Sequence, residues 1–380
     1  MKEGWTYKKL GEVCEILDSQ RKPITKNKRD SGSIPYYGAT GCLDYVKDYI
    51  FDEKLVLLGE DGAKWDAGEN SAYIIDGKSW VNNHAHALRP KRDIILDEIL
   101  VYYLNFANLQ PFITGVTVPK LNQEKMRSID IPIYPISEQQ RIVSRLDSAF
   151  AYIDELKANA EKQLSEARSL FQKALTKAME PKEGWEEKQL SSIVHSECSL
   201  SYGIVQPGDH VENGIPVVRP VDFNNKLIVG IEGLKRTKKE ISDAYKRTIL
   251  KGGEILFCVR GTTGTMGLAS KELCGCNVTR GIVPMFFDED TNLMFVYYQL
   301  LSARLQDEIQ KETTGAALKQ INIKDLRNLQ LYLPPLTEQQ RIVSRLDSIS
   351  AHVRELEEVL QKTIVECDAL KQALLRKVFE

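Results

Sequence analysis

The stretch EQQRIVSRLDS at Glu138–Ser148 occurs a second time, unchanged, at Glu338–Ser348. Eleven identical residues do not recur by chance in a chain of 380 residues. A long repeat at an offset of 200 residues, with different sequence between its copies, indicates two tandem units that share one structural element. This stretch therefore determines how the rest of the chain is divided.

Weaker similarity extends the repeat on both sides. Further matches occur at the same spacing or close to it: Thr114-Gly115 and Asn122 recur as Thr314-Gly315 and Asn322, and Lys2-Glu-Gly-Trp5 recurs as Lys182-Glu-Gly-Trp185. The offset grows from 180 residues at the front to 200 at the back, so the second copy is longer in its variable part. We predict two units, near residues 1–180 and 181–380, each a divergent segment followed by a nearly repeated one.

The repeated stretches are predicted to begin long helices. Ser137 and Thr337 stand where an N-cap is expected, and Gln140 and Gln340, three residues on, complete a capping box. Apolar residues then follow at heptad-like steps, which predicts a stripe for helix packing. The residues predicted to pack in this stripe are Ile142, Leu146, Ile153, Leu156, Leu164 and Phe171 in the first copy and Ile342, Leu346, Val353, Leu356, Leu360 and Ile364 in the second.

Two helices of about 40 residues would each be about 60 Å long at 1.5 Å per residue. Neither helix can bury a narrow apolar stripe alone, so we expect them to pack on each other. The first helix ends where the second unit starts, and a pseudo-twofold relation between the units would make the pair antiparallel. This arrangement also predicts that Trp5 lies near the end of the second helix, as Trp185 lies near the end of the first.

The divergent segments are predicted to be strand-rich globules. Short β-like runs such as Lys54–Leu58 and Glu254–Val259 alternate with Gly, Asn and Asp turns, and each segment also has a helical stretch with a shared Val-Tyr-Tyr. The predicted fold class is α+β, with two such domains joined by two long helices in an antiparallel coiled coil and an internal pseudo-twofold repeat. The predicted boundaries are residues 1–136 and 181–336 for the domains and residues 137–180 and 337–380 for the spacer helices.

Composition excludes several classes of protein. Charged residues make up 27% of the chain and the formal net charge is −2, so no overall basic charge indicates nucleic-acid binding. No apolar run is long enough to span a membrane, and the N-terminal residues lack the apolar core of a leader, which favours a cytoplasmic location. The seven cysteines are scattered and are predicted to be free thiols.

Catalytic motifs are weak or incomplete. Gly77-Lys78-Ser79 looks like the end of a phosphate-binding loop, but Ala72 stands where that loop requires glycine. Glu60–Lys64 superficially evokes a metal nuclease, yet the second unit has no counterpart. His84 and His86 form a His-x-His pair without an evident third metal ligand. We therefore expect neither catalysis nor a metal site on this chain.

The overall pattern resembles the specificity subunit of type I restriction–modification systems. Two variable segments are separated by near-identical helices, each opened by Pro-x-x-Glu-Gln-Gln-Arg-Ile-Val, and Tyr202–Gly208 is similar to a target-recognition segment of that family. The resemblance covers essentially the whole chain. It implies a non-catalytic subunit whose two target-recognition domains each read one half of a bipartite, asymmetric DNA site.

The resemblance also implies the partners. These are double-stranded DNA, two methyltransferase subunits docked on the repeated helices, and restriction subunits in the full complex, with no membrane. It implies no cofactor on this chain, because S-adenosylmethionine and ATP belong to the partner subunits. Physical reasoning agrees, since two copies of one partner need two equivalent docking surfaces. Two different readers on a fixed spacer also suit a split site with halves about one turn, roughly 10 bp, apart.

An alternative from another class is a coiled-coil scaffold or adaptor that does not bind DNA sequence-specifically. Such a scaffold would keep the helices, but it would not need two divergent, loop-rich domains. Basic-residue substitutions that leave the affinity for DNA unchanged would favour the scaffold.

In the first unit, Arg21–Arg29 contains five basic residues and no acid, which suits phosphate contact or an ordinary solvated charge run. Asparagine side chains read adenine edges, although they also form turns. The candidate DNA contacts of this unit are Arg21, Lys22, Lys26, Lys28, Arg29, Trp65, Asn82, His84 and Lys120.

In the second unit, Arg260-Gly-Thr-Thr-Gly264 and Thr279-Arg280-Gly281 place arginines in loops directly after predicted strands. Arginine reads guanine through O6 and N7, but it also holds loops through salt bridges. The candidate DNA contacts of this unit are Tyr202, Gln206, Arg219, Arg260, Thr262, Thr263, Arg280, Lys319 and Gln320.

Overall fold

The computed structural model describes residues 4–223, 227–315 and 319–380. Lys2 and Glu3 of the repeated Lys2–Trp5 therefore lie outside the described residues. The chain divides into two compact units: unit 1 comprises Met1–Lys162 with Leu360–Glu380, and unit 2 comprises Gln163–Val359. Each unit thus contains one divergent segment and parts of both long helices. The four predicted domain boundaries remain a prediction.

Unit 1 contains the first ten strands, the first three helices, most of the first long helix and the last part of the second long helix. Its elements are β1 Thr6–Lys9, α1 Leu10–Val13, β2 Cys14–Ile16, β3 Ser31–Gly38, β4 Gly41–Val46, β5 Phe51–Asp52, β6 Leu55–Gly59, β7 Ala72–Ile75, β8 Lys78–Val81, β9 Ala85–Pro90, α2 Asp97–Phe106, α3 Gln123–Arg127, β10 Asp130–Ile133 and α4 Ile136–Met179. The strands form sheets in the orders β2-β9-β6-β7, β4-β3-β8-β5 and β1-β10.

Unit 2 repeats this plan with a longer variable part. Its elements are β11 Glu186–Gln189, α5 Leu190–Ile193, β12 Ile215–Val218, β13 Ile228–Val229, β14 Lys235–Thr237, α6 Lys239–Asp243, β15 Ile255–Cys258, β16 Met266–Ala269, β17 Asn277–Val278, β18 Ile282–Met285, α7 Leu293–Leu301, α8 Ala303–Lys311, α9 Ile323–Asn328, β19 Gln330–Leu333 and α10 Leu336–Phe379. Its sheets have the orders β13-β16-β15-β18, β14-β12-β17 and β11-β19.

The apolar runs that predicted strands are the central strands of the two units. β6 and β15 are buried along their whole length, because each has a hydrophobic cluster on both faces. Val56 packs into one cluster of unit 1 and Leu57 into the other, and Leu256 and Phe257 are divided in the same way in unit 2. Burial on both faces explains why these strands have continuous rather than alternating apolar residues.

The long helices begin slightly earlier than the sequence predicted. Each starts one residue after a proline, and the carbonyl of Pro135 accepts hydrogen bonds from the amides of Glu138 and Gln139 at 2.9 and 3.0 Å. Ser137 therefore lies inside the helix rather than at its N-cap. The predicted capping box is wrong, because the turn at the proline already satisfies the first amides.

Gln139 and its counterpart Gln339 each fasten a long helix to the globular domain of the same unit. Oε1 of Gln139 accepts from the amide of Leu96 at 2.9 Å, and Oε1 of Gln339 accepts from the amide of Asn292 at 2.8 Å. Both acceptor bonds are made at the first residues of a helix, α2 or α7, where amides lack helical partners. Part of the repeat is therefore identical because it makes the same internal contact twice.

The repeated aspartate makes a second matched contact. Tyr102 of α2 donates to the carboxylate of Asp147, and Tyr298 of α7 donates to that of Asp347 at 2.6 Å. In the structure, Tyr102 therefore corresponds to Tyr298. An alignment of the shared Val-Tyr-Tyr would instead make Tyr102 correspond to Tyr297. The structural register is shifted by one residue because the glutamine contact fixes where each short helix starts.

Within unit 1, the two long helices run antiparallel. Lys157 binds Asp368 at 2.7 Å and Asp154 binds Lys371 at 2.5 Å, so positions rise along α4 as they fall along α10. Phe379 near the end of α10 lies with its ring centroid 6.5 Å from that of Trp5. The predicted location of Trp5 near the end of the second helix is confirmed.

Within unit 2, the start of α10 packs against the end of α4. Ile342 and Leu346 share a hydrophobic cluster with Leu175 and Met179, and Arg168 binds Glu357 at 2.8 Å. The fold class predicted from the sequence, a mixed α and β repeat with antiparallel helix pairing, is therefore confirmed in each unit.

Two of the predicted helix-packing residues are corrected by the structure. Leu156 and Leu356 are 38% and 42% exposed, so neither side chain lies inside a helix interface. Lys157 and Glu357 take the half-buried positions instead, one residue later, and end in ion pairs. A lysine can fill such a position because its aliphatic stem packs while its ammonium group reaches an acid at the edge. The remaining predicted packing residues are buried or half-buried: Ile142, Leu146, Ile153, Leu164, Phe171, Ile342, Leu346, Val353, Leu360 and Ile364.

Candidate nucleic-acid interface

In each unit, two corresponding loops meet beside the end of the central strand. In unit 1, Asp61 follows β6 and bridges to Lys120 in the loop that carries the shared Thr-Gly. In unit 2, Arg260 follows β15 and bridges to Gln320 in the corresponding loop. One backbone plan therefore presents two different sets of side chains.

In unit 2 these loops form a cleft of about 310 Å³. Tyr202, Arg260, Arg280 and Gln320 line this unit 2 cleft, together with apolar residues such as Val259. Four residues that the sequence selected separately are thus brought together. Several polar side chains that converge on a concave site beside apolar residues are typical of specific recognition.

The two arginines of the unit 2 cleft have side-chain donors that can serve a ligand. Nε of Arg260 is buried and has no hydrogen-bond partner within the described part of the chain. Arg280 is exposed, and its backbone amide is fixed by donation to the carbonyl of Ile204 at 2.9 Å. An unpaired buried donor is costly, and because Arg260 also lines the cleft, its guanidinium group is placed to meet an acceptor supplied by a ligand.

Other predicted residues of unit 2 lie around or outside the cleft. Thr262 and Lys319 are exposed, whereas the Thr263 hydroxyl is buried and donates to the carbonyl of Lys319 at 3.2 Å. Thr263 therefore holds two loops together. Gln206 is exposed. Arg219 donates to the carboxylate of Asp222 from Nε at 3.1 Å and from Nη2 at 2.7 Å. These two bonds occupy much of its guanidinium group.

The corresponding place in unit 1 contains an ion-pair network. We call Arg21, Glu60, Asp61, His84 and Lys120 the unit 1 site. Nη1 of Arg21 lies 2.6 Å from one carboxylate oxygen of Glu60, and Nζ of Lys120 lies 2.8 Å from the other. Burial alone would raise the pKa of Glu60, but these two hydrogen bonds lower it below its ordinary value.

A buried histidine extends this network. His86 is fully buried, with Nδ1 2.6 Å from Asp18 and Nε2 2.7 Å from the carbonyl of Leu121. Burial would raise the pKa of Asp18, but its hydrogen bond to His86 and the charge of Arg21 lower it. The ligand atoms of Asp18, Glu60 and His86 lie within 4.8 Å of one another, close enough for a metal ion. Arg21 and Lys120 already neutralise these carboxylates, so the cluster is better explained as an ion-pair network.

The basic run of unit 1 is divided into exposed and paired members. Lys22, Lys26 and Lys28 are exposed. Arg29 binds Asp44 at 2.9 Å and lies 4.2 Å above the ring of Tyr36, and Arg21 belongs to the buried network described above. The three lysines are therefore the members of the run that remain available for phosphate contact.

Three further predictions in unit 1 have different environments. Trp65 is 4% exposed and donates from Nε1 to the carbonyl of Gly59 at 3.0 Å, so it is a core residue. Asn82 is 2% exposed and its Oδ1 accepts from the amide of His84 at 2.8 Å, which is a turn contact. Neither side chain can reach a base without leaving the interior, and we remove both from the contact set. His84 is exposed and its Nδ1 binds Asp61.

Sequence reasoning missed Asp18 as a partner of Arg21 and His86 as a partner of Asp18. Asp18 and His86 are 68 residues apart and become neighbours only when β2 and the loop after it pack beside β9. The one local signal was Arg21 itself, three residues after Asp18, a spacing that suits an ion pair. Asp61 was considered only as part of an acidic stretch, because its relation to Arg260 appears only in the bridges between loops.

The fold and its two sites define a class of protein: a tandem-repeat reader that presents two unlike sites on one backbone plan. The family model described as the type I restriction modification DNA specificity domain matches residues 2–166 and again residues 182–366. The chain belongs to this family. Its function is therefore DNA specificity in a type I restriction–modification system, as the sequence predicted, and the scaffold alternative is not favoured.

Individual relatives agree with this assignment. A putative type I restriction enzyme specificity subunit of Haemophilus influenzae is 28% identical over 375 residues, which cover 94% of this chain and 91% of that protein. The EcoBI specificity subunit of Escherichia coli is 28% identical over 291 residues, or 70% of this chain. The chain spans 61% of the length of that relative.

Solved structures show the same fold. A chain from a structure of the type I R-M system, concerning complex assembly and conformational transition, has a TM-score of 0.74 and 21% identity, and the match covers 100% of this chain and 98% of that one. The HsdS subunit from Thermoanaerobacter tengcongensis has a TM-score of 0.54 and 21% identity, with coverages of 100% and 97%. Within the described residues, no helix combines the length and apolar character needed to cross a membrane.

Proposed function

We propose that each unit reads one half of a split, asymmetric DNA site and that the chain performs no catalysis itself. The observation that carries this proposal is the pair of sites beside β6 and β15. They are built by corresponding loops but lined by different side chains. A protein that reads two different short sequences needs a common frame with unlike contact residues.

We further propose the residues that contact DNA. In unit 2 they are Tyr202, Arg260, Arg280 and Gln320 of the cleft, together with Gln206, Arg219, Thr262, Thr263 and Lys319 outside its lining. In unit 1 they are Arg21, Lys22, Lys26, Lys28, Arg29, His84 and Lys120. Exposed lysines suit phosphates, which fix orientation, whereas side chains at the loop junction suit base edges.

The partners follow from the exposed part of the repeat. Gln139, Leu146 and Asp147 make matched contacts inside each unit, but other identical residues face solvent in both copies. The exposed identical residues are Gln140, Arg141, Ser144, Arg145 and Ser148, with their counterparts 200 residues later. Identity that internal packing does not require is explained by two copies of one partner, which we propose are methyltransferase subunits.

The larger assembly follows from the same proposal. Restriction subunits would join the complex, and S-adenosylmethionine and ATP would be bound by the partners. Because the proposed ligand is double-stranded DNA, we also propose that the chain works in the cytoplasm.

A methylation map of the source cell, with and without this gene, tests the proposed function. We expect methylation at one split, asymmetric motif to disappear on deletion and to return when the gene is restored. Such a result would reveal both half-sites at once. A map that is unchanged on deletion, in a cell with a working methyltransferase, would contradict the proposal and favour a scaffold.

The same assay tests the docking surface through complementation. Arg145→Glu combined with Arg345→Glu reverses a charge on both copies of the exposed repeat, and we expect no restored methylation. Arg354→Glu is the matched control, because Arg354 is exposed on α10 while α4 has Asp154 at that position. We expect the control to restore the map. Equal restoration by both variants would remove these arginines from the partner interface.

A further inference from the structure

The two sites have opposite hydrogen-bonding character at corresponding positions. The amide of Glu60 donates to the carbonyl of His84 at 2.8 Å, and the amide of Val259 donates to that of Gly281 at 2.8 Å. These matched bonds show that Glu60 in unit 1 corresponds to Val259 in unit 2, and that His84 corresponds to Gly281. The next residue along the chain is then Asp61 in unit 1 and Arg260 in unit 2.

A second position follows from the same match. Arg280 directly precedes Gly281, so its counterpart is the residue directly before His84, which is Asn83. Lys120 corresponds to Gln320 through the bridges to the two strand ends. All three positions therefore differ in chemistry between the units.

We call Glu60 in unit 1 and Val259 in unit 2 the floor residue of each site. This residue controls whether the nearby cations are free to bind a ligand. In unit 1, Glu60 binds Arg21 and Lys120 and thus consumes their charge. In unit 2, Val259 takes the place of Glu60, and no acidic side chain lines the cleft in the described part of the chain. Arg260 and Arg280 consequently face the cleft with donors that unit 2 does not neutralise there.

We propose that Arg260 and Arg280 read a guanine in the half-site of unit 2, an inference that rests on the proposed function. Guanine presents two acceptors, O6 and N7, on its major-groove edge, and the planar guanidinium fork matches them. Unit 1 has Asp61 at the position of Arg260, and a carboxylate offers only acceptors. Unit 1 therefore does not read guanine through this position.

Phosphate is the other acceptor that two arginines could bind. Every nucleotide carries the same phosphate, so a phosphate contact gives no reason for corresponding residues to differ between the units. Here an arginine is replaced by an aspartate, which would repel a phosphate. Divergence at a matched position is expected for base reading, and this favours guanine.

Selection from a library of duplex oligonucleotides with a random central region tests the inference. The full chain is used in complex with its methyltransferase subunit. Arg260→Lys keeps the charge but loses the fork, and Arg280→Ala removes an exposed side chain, so both variants should fold. We expect each to lower the preference for one guanine roughly 10- to 100-fold, in one half-site only.

Two control variants complete the design. Arg247→Lys alters an exposed arginine of unit 2 outside the cleft, and the selected motif should not change. Asp61→Asn alters the unit 1 site, so any change in the selected motif should be confined to the half-site of unit 1, and the guanine preference in the half-site of unit 2 should remain. An altered guanine preference in either control would overturn the assignment of guanine to the unit 2 arginines.

The outcomes separate this inference from the proposed function. If the wild-type complex selects no split motif, the proposed function fails, and this inference fails with it. If the wild type selects a split motif and the Arg260 and Arg280 variants weaken binding to all sequences equally, the arginines contact phosphate. That second result overturns the inference alone.

Discussion

The unit 1 site and the unit 2 cleft share a backbone plan but differ in where their charges are neutralised. In unit 1, Glu60 accepts from Arg21 at 2.6 Å and from Lys120 at 2.8 Å, so the cations are paired inside the protein. In unit 2, Val259 stands at the floor, and Nε of Arg260 has no hydrogen-bond partner within the described residues.

This difference shows how a fold can be reused for a new target. The residue below the site decides whether nearby cations stabilise the protein or remain available to a ligand. An acid there leads to a closed network that stabilises the unit, because breaking such a buried network is costly. An apolar residue there leaves the arginines dependent on outside acceptors. Under the proposed function, changing the floor residue and the residue that follows it would therefore change recognition without changing the backbone.

The largest expected effect comes from removing the shared acceptor of unit 1. Glu60→Ala removes the acceptor that Arg21 and Lys120 share and leaves Arg21, in a mostly buried position, with the longer 3.3 Å contact to Asp18, and we expect the free energy of unfolding to fall by about 3 kcal/mol. Urea unfolding followed by tryptophan fluorescence measures this effect. Three of the four tryptophans, Trp5, Trp65 and Trp80, lie in unit 1 and report on it.

A more exposed ion pair of unit 2, between Arg219 and Asp222, provides the comparison for Glu60. Asp222→Asn weakens the pair with Arg219, whose side chain is 37% exposed, and we expect a loss of about 1 kcal/mol or less. A similar loss for both variants would mean that the network of unit 1 is not tightly coupled. The comparison between a closed and an open site would then fail.

Acid should destabilise unit 1 more than unit 2. The pKa values of Asp18 and Glu60 are lowered in the folded state, so their contribution is complete above the ordinary carboxyl values of 3.8 and 4.5. It is lost as the pH falls below these values and through the lowered ones, because protonation then becomes coupled to unfolding. The effect should be smaller than that of Glu60→Ala, since a protonated carboxyl still accepts a hydrogen bond.

Unfolding free energies measured between pH 7 and pH 3 check this expectation. In Glu60→Gln the amide cannot titrate, so the part of the pH dependence that belongs to Glu60 should disappear. The signal from Trp185, in unit 2, should change less over the same range. A steeper acid transition in unit 2 would contradict the electrostatic comparison.

Local patterns predicted the fold better than they predicted the sites. The repeat at Glu138–Ser148 and the apolar runs at β6 and β15 are local signals, and they sufficed for the two units, their central strands and the long helices. The helix interface was misassigned at Leu156 because leucine was preferred over a lysine one residue later. Burial of a lysine stem depends on an acid at Asp368, which is distant in the sequence.

The sites depend on long-range pairing, which a single sequence does not reveal. Four residues that line the unit 2 cleft were selected from the sequence as candidate DNA contacts, three of them because arginine and tyrosine in glycine-containing loops are a local signal. The network of Arg21, Glu60 and His86 was not predicted, since its members are dozens of residues apart. Arg21 was consequently grouped with the exposed lysines that follow it, although its side chain is mostly buried.

The smallest effect tests whether the two sites really share one backbone. Gly62 and Gly261 follow Asp61 and Arg260, with φ of +71° and +83°, and an added Cβ would meet no atom within 4 Å in either case. Alanine at each position should therefore cost only the backbone strain of a left-handed residue, about 1–2 kcal/mol. We expect equal losses of unfolding free energy for Gly62→Ala and Gly261→Ala, reported by Trp65 and Trp185 respectively. Clearly unequal losses would show that the loops differ in backbone as well as in side chains, and the difference in recognition could then no longer be assigned to side chains alone.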